Sequence, residues 1–212
     1  MDDKLFAKQL KKPTGNIGKH VGNVMNDINL FMNSFTFKSM NIKNNDRILE
    51  VGFGNGKFIQ NILEKADNVT YKGIELSETM IEEAIIRNQS LINSGIVELK
   101  LANVYNIPFE KETFDKVVTI NTIYFFENID AAIKEISRVL IKNGSLCISI
   151  RTKEKFQNVS FSQYLTNLFD YNELESILLS NGFENIKKEY CIEPNSENKL
   201  DVLCILANKR VE

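Results

Sequence analysis

The stretch RILEVGFGNGKF, Arg47–Phe58, decides the fold of this chain. It opens with a short apolar run, passes through glycines at alternate positions (Gly52, Gly54 and Gly56), and leads into helical spacing of apolar residues. Glycine permits positive φ angles and lacks the Cβ that would keep a ligand away from the backbone. Amides at the start of the following helix favour an anionic group. The stretch therefore predicts a strand, a ligand-binding loop and a helix.

Outside this stretch, apolar runs alternate with helical patterns, which predicts a parallel sheet covered by helices on both faces. The predicted strands are RILEV, VTYKGIEL, IVELKLANV, FDKVVTINTIYFF and SLCISI, and then NIKKEYCIE and KLDVLCILAN. The last two are joined by the polar segment PNSEN, which predicts an antiparallel hairpin. The expected fold is α/β, a Rossmann-like seven-stranded, mostly parallel sheet with this hairpin at its C-terminal edge.

Composition and charge argue against several classes of function. A net charge of -2 and a pI of about 5.7 provide no basic field for nucleic acid or an anionic membrane. No run approaches the ~20 apolar residues of a membrane span. The start, MDDKLFAKQLKK, lacks the apolar core of a signal peptide. We expect a cytoplasmic protein, a monomer or homodimer, that binds neither nucleic acid nor membrane.

The cysteines predict no metal site. Cys147, Cys191 and Cys204 are an odd number with no close pair, and each falls in an apolar stretch typical of a strand. Free Cys is among the most buried residue types, and reduced thiols are usual in a reducing compartment. We therefore expect buried free thiols, and no thiolate site for a metal or metalloid.

An acidic residue follows the glycine loop at the distance that a nucleotide cofactor requires. Glu75 ends the second predicted strand, where its carboxylate can bind both hydroxyls of a ribose. Dinucleotide sites share this acid but use the spacing G-x-G-x-x-G, and here Lys57 stands where the third glycine would be. The spacing disfavours an NAD-dependent oxidoreductase without excluding it.

Taken together, these motifs resemble those of the class I S-adenosylmethionine-dependent methyltransferase superfamily, and the chain is similar to its small-molecule type 11 branch. The resemblance is carried by ILEVGFGNG, GIELS, LANVYNIPF, FDKVVTINTIYFFEN and EISRVLIKNGSLCIS. It implies S-adenosylmethionine as cofactor and S-adenosylhomocysteine as product. The residues that it assigns to cofactor binding are Glu50, Gly52, Phe53, Gly54, Gly56, Glu75, Leu76, Asn103, Val104 and Asn121.

The resemblance also implies what individual groups do. Residues 52–56 would pass under the methionine part of the cofactor, Glu75 would bind the ribose, and the main chain near Asn121 would accept from the cofactor ammonium. Asn103 stands where the family usually has Asp, so its bond to the adenine amine would be uncharged and weaker by about 1 kcal/mol. The amide of Val104 would donate to an adenine ring nitrogen.

The resemblance implies three parts in a single domain, which suits 212 residues of which 43% are hydrophobic. Residues 1–44 carry an apolar stripe with helical spacing and are expected to form an N-terminal helical cap or lid. Residues 45–152 would form the cofactor-binding core. Residues 153–212 would form an acceptor-covering segment, a C-terminal helix and the hairpin.

Candidate catalytic residues are few, because methyl transfer depends mainly on alignment and removal of water. Tyr124 follows the fourth strand in NTIYFF, which resembles the N-P-P-Y signature of methyltransferases acting on amino nitrogens. Thr122 and Ile123 replace both prolines, which disfavours a base or a protein amide as acceptor. His20, the single histidine, lies in the expected cap and could act as a base.

The predicted function is methyl transfer to a small, partly apolar metabolite by in-line displacement. Arg151, at the end of the fifth strand, could pair with an anionic acceptor or be solvated, and the sequence leaves both open. One alternative is a catalytically degenerate methyltransferase-like subunit that binds the cofactor or a protein partner. The NAD-dependent oxidoreductase remains a further alternative.

Overall fold

The computed structural model describes residues 1–194 and 200–211. The strands of the described residues are β1 (Arg47–Val51), β2 (Thr70–Glu75), β3 (Val97–Leu101), β4 (Phe114–Ile120), β5 (Leu140–Ile150), β6 (Phe183–Ile192) and β7 (Asp201–Lys209). They form one seven-stranded sheet. The segment PNSEN, predicted to join the last two strands, lies outside the described residues from position 195 onward.

The sheet has the order β3-β2-β1-β4-β5-β7-β6. The pairs from β3 to β5 are parallel, and β7 pairs antiparallel with both β5 and β6. This confirms the predicted Rossmann-like sheet with an antiparallel hairpin at its edge. The chain moves outward from β1 to β3 on one side and then returns to β4 on the other. The loop after β1 therefore lies where the strand order reverses, which is the usual ligand position in such sheets.

Helices cover both faces of the sheet, as the sequence predicts. The helices of the described part are α1 (Asp3–Lys11), α2 (Gly15–Ile28), α3 (Leu30–Ser39), α4 (Ile59–Leu63), α5 (Glu78–Arg87), α6 (Gln89–Asn93), α7 (Ile129–Val139), α8 (Lys153–Phe156) and α9 (Tyr171–Ser180). One apolar core contains residues of α7 and α9, such as Ile133 and Leu174. The other contains residues of α3, α4 and α5, such as Met32, Ile62 and Ala84. The sheet is thus buried between two helical layers.

The N-terminal region folds as three helices, and the connection between the first two docks on the start of α5. Asn29 both ends α2 and begins α3, so the predicted apolar stripe is broken there. The Ser77 hydroxyl caps α5 and donates to the carbonyl of Pro13. The amide of Gly15 donates to Thr79 Oγ1 at 3.1 Å. These bonds fix the connection between α1 and α2 above the carboxyl end of β2.

The cysteines lie in strands, as predicted, but not all of them are buried. Cys147 in β5 and Cys204 in β7 are buried free thiols with Sγ atoms 3.3 Å apart. Cys191 is partly exposed, because β6 is the outermost strand and all but one of its residues are at least partly exposed. Among the described residues, no helix is long and apolar enough to cross a membrane.

Candidate active site

A cavity of about 460 Å³ lies beyond the carboxyl ends of the central strands. One end, here called the sheet end, is lined by residues at the ends of β1, β2, β3 and β4, within 50–54, 75–76, 102–105 and 120–122. The other, here called the cap end, is lined by α1, α2 and α3, by residues 124–127, and by residues 151–165. The two ends are continuous, so one cavity could hold two ligands side by side.

The glycine loop leaves space at the sheet end. Gly54 has φ +63°, and a Cβ built on it would meet nothing within 4 Å. Gly52 has φ +80°, and its Cβ would lie 2.5 Å from Thr122, so the loop packs directly on the turn after β4. Gly56 instead packs on α5, where a Cβ would lie 2.8 Å from Ala84. Of the glycines predicted to meet the cofactor, Gly52 and Gly54 line the cavity and Gly56 supports the loop.

Glu75 is held between the loop and α5. Its side chain is nearly buried and lines the cavity, accepting from the amide of Gly54 at 3.0 Å. The other carboxylate oxygen accepts from the amides of Leu76 at 2.8 Å and Ser77 at 3.0 Å. Burial raises the pKa of the Glu75 carboxyl, while these amide hydrogen bonds lower it. The acid predicted to bind ribose is therefore fixed in place at the sheet end.

Glu50, at the end of β1, is a second buried acid at the sheet end. One of its oxygens accepts from the hydroxyl of Tyr71 at 2.8 Å. Burial raises the pKa of Glu50 to about 7, the Tyr71 hydrogen bond lowers it, and the charge of Glu75 raises it. Phe53 lies nearby, and its ring occupies the space that a Cβ on Gly73 would need. Both Glu50 and Phe53 line the cavity, as the predicted cofactor contacts should.

The main-chain groups at the cavity that have no hydrogen-bond partner among the described residues include an amide and a carbonyl at strand ends. The amide of Val104 donates to no other group of residues 1–194 and 200–211. The carbonyl oxygen of Asn121 accepts from none within the same ranges, and Asn121 has φ +54°. Both residues line the cavity. Because unpaired backbone groups are uncommon away from bulk water, these two indicate where a polar ligand would bind. Asn103 also lines the cavity, and its Oδ1 accepts from the amide of Tyr105 at 3.2 Å.

Tyr124 is buried beneath the cavity and is bonded to the main chain. Its hydroxyl accepts from the amide of Arg151 and lies 3.2 Å from the Arg151 carbonyl and 3.3 Å from Asn121 Oδ1. Burial raises the pKa of the Tyr124 phenol well above its ordinary value. This arrangement favours positioning of the turn after β4, and the predicted catalytic role of Tyr124 stays a prediction.

His20 lies on the outer face of α2, where it is exposed. Its neighbours Val21 and Gly22 line the cavity, but His20 does not. Successive residues of a helix are turned by about 100°, so His20 faces away while Val21 faces inward. The geometry gives no support for the predicted catalytic role of His20.

Arg151 is neither solvated nor free to pair with an acceptor, which the sequence had left as its two alternatives. Only 2% of the residue is exposed. The guanidinium lies 2.8 Å from the carboxylate of Glu193 and donates to the carbonyls of Asp201 at 3.0 Å and Ile28 at 3.4 Å. It thereby connects the end of β5 to the hairpin and to the end of α2. No pattern in the sequence relates these residues, since they meet only in the folded chain.

Aromatic side chains form the wall of the cap end. Phe156 lies with its ring centroid 5.1 Å from that of Tyr124 and 5.7 Å from that of Phe161. Phe161 in turn meets Phe6 of α1, at 5.0 Å and nearly perpendicular. The row ties the cap to the segment after β5. Phe6 was not predicted as a site residue, because a single Phe in an amphipathic helix carries no distinctive signal.

Comparison with known proteins supports an assignment to a family. The sequence model of a protein family, described as a methyltransferase domain, matches residues 49–148. The chain is similar to YrhH and YdaC, two Bacillus subtilis proteins whose names describe them as methyltransferases. It is 33% identical to YrhH over 127 residues, covering 60% of this chain and 69% of YrhH. It is 29% identical to YdaC over 175 residues, covering 81% of this chain and 93% of YdaC.

A solved structure has the same fold. It is phosphoethanolamine N-methyltransferase 2 of Haemonchus contortus, solved with phosphomonomethylethanolamine and S-adenosylhomocysteine. The TM-score is 0.70 at 18% identity, over 85% of this chain and 53% of that one, so the chain spans about half of that protein. The motifs predicted a methyltransferase, and the family match confirms that prediction. It does not support the alternative of an NAD-dependent oxidoreductase. The chain belongs to the class I S-adenosylmethionine-dependent methyltransferase superfamily and is an enzyme with S-adenosylmethionine as its cofactor.

Proposed function

We propose that the chain methylates a small, partly apolar metabolite, with the cofactor at the sheet end and the acceptor at the cap end. The observation that carries the proposal is the contrast within one continuous cavity. Its sheet end offers fixed carboxylates and unpaired main-chain groups, and its cap end offers phenyl rings. Ligand sites commonly combine an apolar lining with a few placed polar groups.

The residues at the sheet end suit the chemical groups of S-adenosylmethionine. The carboxylate of Glu75 would hold the ribose hydroxyls, and the open space at Gly54 would admit the cofactor close to the loop. The unpaired amide of Val104 would donate to the adenine ring, with Asn103 beside it. The unpaired carbonyl of Asn121 would accept from the ammonium group. Glu50, Gly52, Phe53 and Leu76 complete the lining, and Gly56 supports it from behind.

When bound, the cofactor supplies a methyl group on a positively charged sulfur. The lone pair of the acceptor would attack the methyl carbon in line with the carbon–sulfur bond, and the sulfur would leave as a neutral thioether. The protein's part is to align the two ligands and exclude water, which can lower a barrier by several kcal/mol. The cap helices and the row from Tyr124 to Phe6 close the cap end, and the buried Tyr124 hydroxyl holds the turn that carries Asn121. This mechanism requires no dedicated base.

The proposed division of labour follows the three predicted parts. Residues 1–44 would act as the cap over both ligands, and residues 45–152 would hold the cofactor. Residues 153–212 would supply a segment that covers the acceptor, followed by the C-terminal helix and the hairpin. The alternative of a degenerate subunit fits less well. A buried acid, and an amide and a carbonyl that lack partners among the described residues, are costly around an empty cavity, and a bound ligand would offset that cost.

A calorimetric titration and an acceptor screen test the proposal. S-adenosylhomocysteine should bind with a dissociation constant in the low micromolar range, about -8 kcal/mol, and NADH should not bind. Methyl-labelled S-adenosylmethionine should then transfer label to partly apolar small molecules but not to nucleic acid or protein. Binding of NADH, or label recovered only in a macromolecule, would contradict the proposal.

A further inference from the structure

The junction of α2 and α3 presents two carboxamides to the cavity. Asn33 is 6% exposed, and its Nδ2 donates to the carbonyl of Asn29 at 2.8 Å. Its Oδ1 receives no hydrogen bond from the described part of the chain and is not fully buried, since Thr119 Oγ1 alone is both buried and unpaired among the described residues. The side chain of Asn29 accepts from Asn121 Nδ2 at 2.8 Å, and its own Nδ2 has no acceptor among the described residues. Both residues line the cavity.

The side chain of Asn33 is nearly buried, yet its amide oxygen stays accessible and no described protein group donates to it. Buried polar side-chain atoms are nearly always hydrogen-bonded, because loss of hydration without a partner is costly. The carbonyl of Asn29 fixes the carboxamide of Asn33, so Oδ1 cannot turn to another protein group without losing that bond. The free oxygen therefore faces the cavity, where a ligand can donate to it.

The charges around the cap end indicate what kind of ligand this is. The cations that line the cavity are Lys11 and Arg151, and each lies 2.8 Å from a carboxylate, of Glu127 and Glu193 respectively. The remaining lining carboxylates, Glu50 and Glu75, lie at the sheet end. Within the described residues, the cap end thus has no unpaired charge to compensate an ionised acceptor. Since moving an unpaired ion out of water is unfavourable, an uncharged acceptor fits best.

We infer that Asn33 and Asn29 form an acceptor-recognition site for a neutral hydroxyl or carboxamide group carried on an apolar, ring-containing molecule. Such a group can donate to Asn33 Oδ1 and accept from Asn29 Nδ2 at once, whereas a ketone only accepts and an ammonium only donates. The phenyl rings of Phe6, Phe156 and Phe161 would contact the apolar part. The inference rests on the proposed function and narrows its substrate class.

The test uses four probes with the same ring: para-ethylphenol, para-ethylbenzamide, para-ethylbenzoate and para-ethylbenzylamine. Each is titrated calorimetrically into full-length protein saturated with S-adenosylhomocysteine. The phenol and the amide should bind at least about tenfold more tightly than the two ions. Asn33→Leu should weaken both neutral probes by about tenfold or more while changing the affinity for S-adenosylhomocysteine by less than about twofold.

Two further variants sharpen the result. Ser34→Leu introduces the same side chain at the next residue of α3, which is exposed, and should leave every affinity unchanged. Asn33→Asp keeps the size and the acceptor oxygen but adds a charge, so it should improve binding of the benzylamine. If Asn33→Leu does not fold, Asn33→Asp provides the test of Asn33 in its place.

The inference is overturned if either ion binds wild-type protein as tightly as the neutral probes, or if neither neutral probe binds. It is also overturned if Asn33→Leu weakens S-adenosylhomocysteine instead of the probes, which would place Asn33 against the cofactor. Failure of wild-type protein to bind S-adenosylhomocysteine would remove the proposed function as well. Titration of wild-type protein with S-adenosylhomocysteine therefore distinguishes failure of the proposed function from failure of the acceptor-recognition site.

Discussion

The two ends of the cavity are built from different kinds of groups. The sheet end consists largely of main chain at strand ends, namely the loop at Gly54, the amide of Val104 and the carbonyl of Asn121, with Glu75 among them. The cap end consists of side chains, such as Phe6 and Asn33, supplied by elements far apart in sequence. The sheet end is thus determined by the backbone of the fold, and the cap end by which side chains happen to converge. A scaffold can change its function through side chains of this kind while its backbone stays the same.

The largest effect should come from removing the side chain on which the cap end rests. In R151M, Glu193 would remain in a largely buried site without its partner, and the carbonyls of Ile28 and Asp201 would lose their donor. We expect the free energy of unfolding to fall by about 3 kcal/mol. Urea denaturation measures this, with K134M, a change at an exposed lysine of α7, as control.

The double variant R151M/E193Q removes both charges and should recover about 1 kcal/mol or more of that loss. If R151M unfolds at the same urea concentration as the wild type, Arg151 does not connect the cap to the sheet.

The next effect should be confined to the sheet end. E75Q keeps the shape of Glu75 but replaces a charged acceptor by an amide, and its NH2 group would face one of the backbone amides that now donate to the carboxylate. We expect S-adenosylhomocysteine to bind about 100-fold more weakly. E78Q, an exposed residue of the adjacent helix, is the control for titration calorimetry. Equal affinity in E75Q and wild type would exclude the ribose contact.

A pair of glycine substitutions separates backbone strain from lost space. Gly54 and Gly95 both have positive φ, +63° and +76°, and a Cβ on either would meet nothing within 4 Å. G54A and G95A should each lower the free energy of unfolding by about 1 kcal/mol. Only G54A adds an atom to the cavity lining, so it alone should weaken S-adenosylhomocysteine, by about tenfold. Similar affinities in the two variants would show that the cofactor does not pass close to this loop.

The smallest effect is a pH dependence set by Glu50, whose pKa burial raises from its ordinary 4.5 to about 7. Between those values the folded protein holds a proton that the unfolded chain has lost, so the contribution of Glu50 to stability falls as pH rises. The affinity for the cationic cofactor should change in the opposite direction, because ionised Glu50 attracts it. Calorimetry should show binding several-fold tighter at about pH 8 than at about pH 6. E50Q should remove most of this pH dependence of affinity. If the pH dependence is unchanged in E50Q, another titrating group is responsible for it.

The difference between the two ends also explains what the sequence could predict. The glycine loop and Glu75 belong to a single strand–helix–strand unit, so their proximity follows from local order along the chain. The parallel sheet and its antiparallel edge followed from apolar runs and helical spacing, and the structure confirms them. Such features depend on neighbours in sequence or on the strand order that neighbours impose.

The cap end could not be predicted in this way. Arg151 meets partners from positions 28, 193 and 201, and no local pattern encodes such a cluster. The outward direction of His20 depends on the rotation of α2 about its axis, which one residue more or less would change by about 100°. The role of Asn33 depends on a break at Asn29 that the continuous apolar stripe concealed. Each is a consequence of tertiary packing.

The central claim is that one cavity holds the cofactor at the sheet end and leaves the cap end for the acceptor. A crystal structure of the complex with S-adenosylhomocysteine tests this most directly. We predict ribose hydroxyls on the Glu75 carboxylate, an adenine nitrogen opposite the Val104 amide, and the sulfur facing the phenyl rings of the cap end. A cofactor bound with its ribose away from Glu75, or with its adenine among those phenyl rings, would contradict the account.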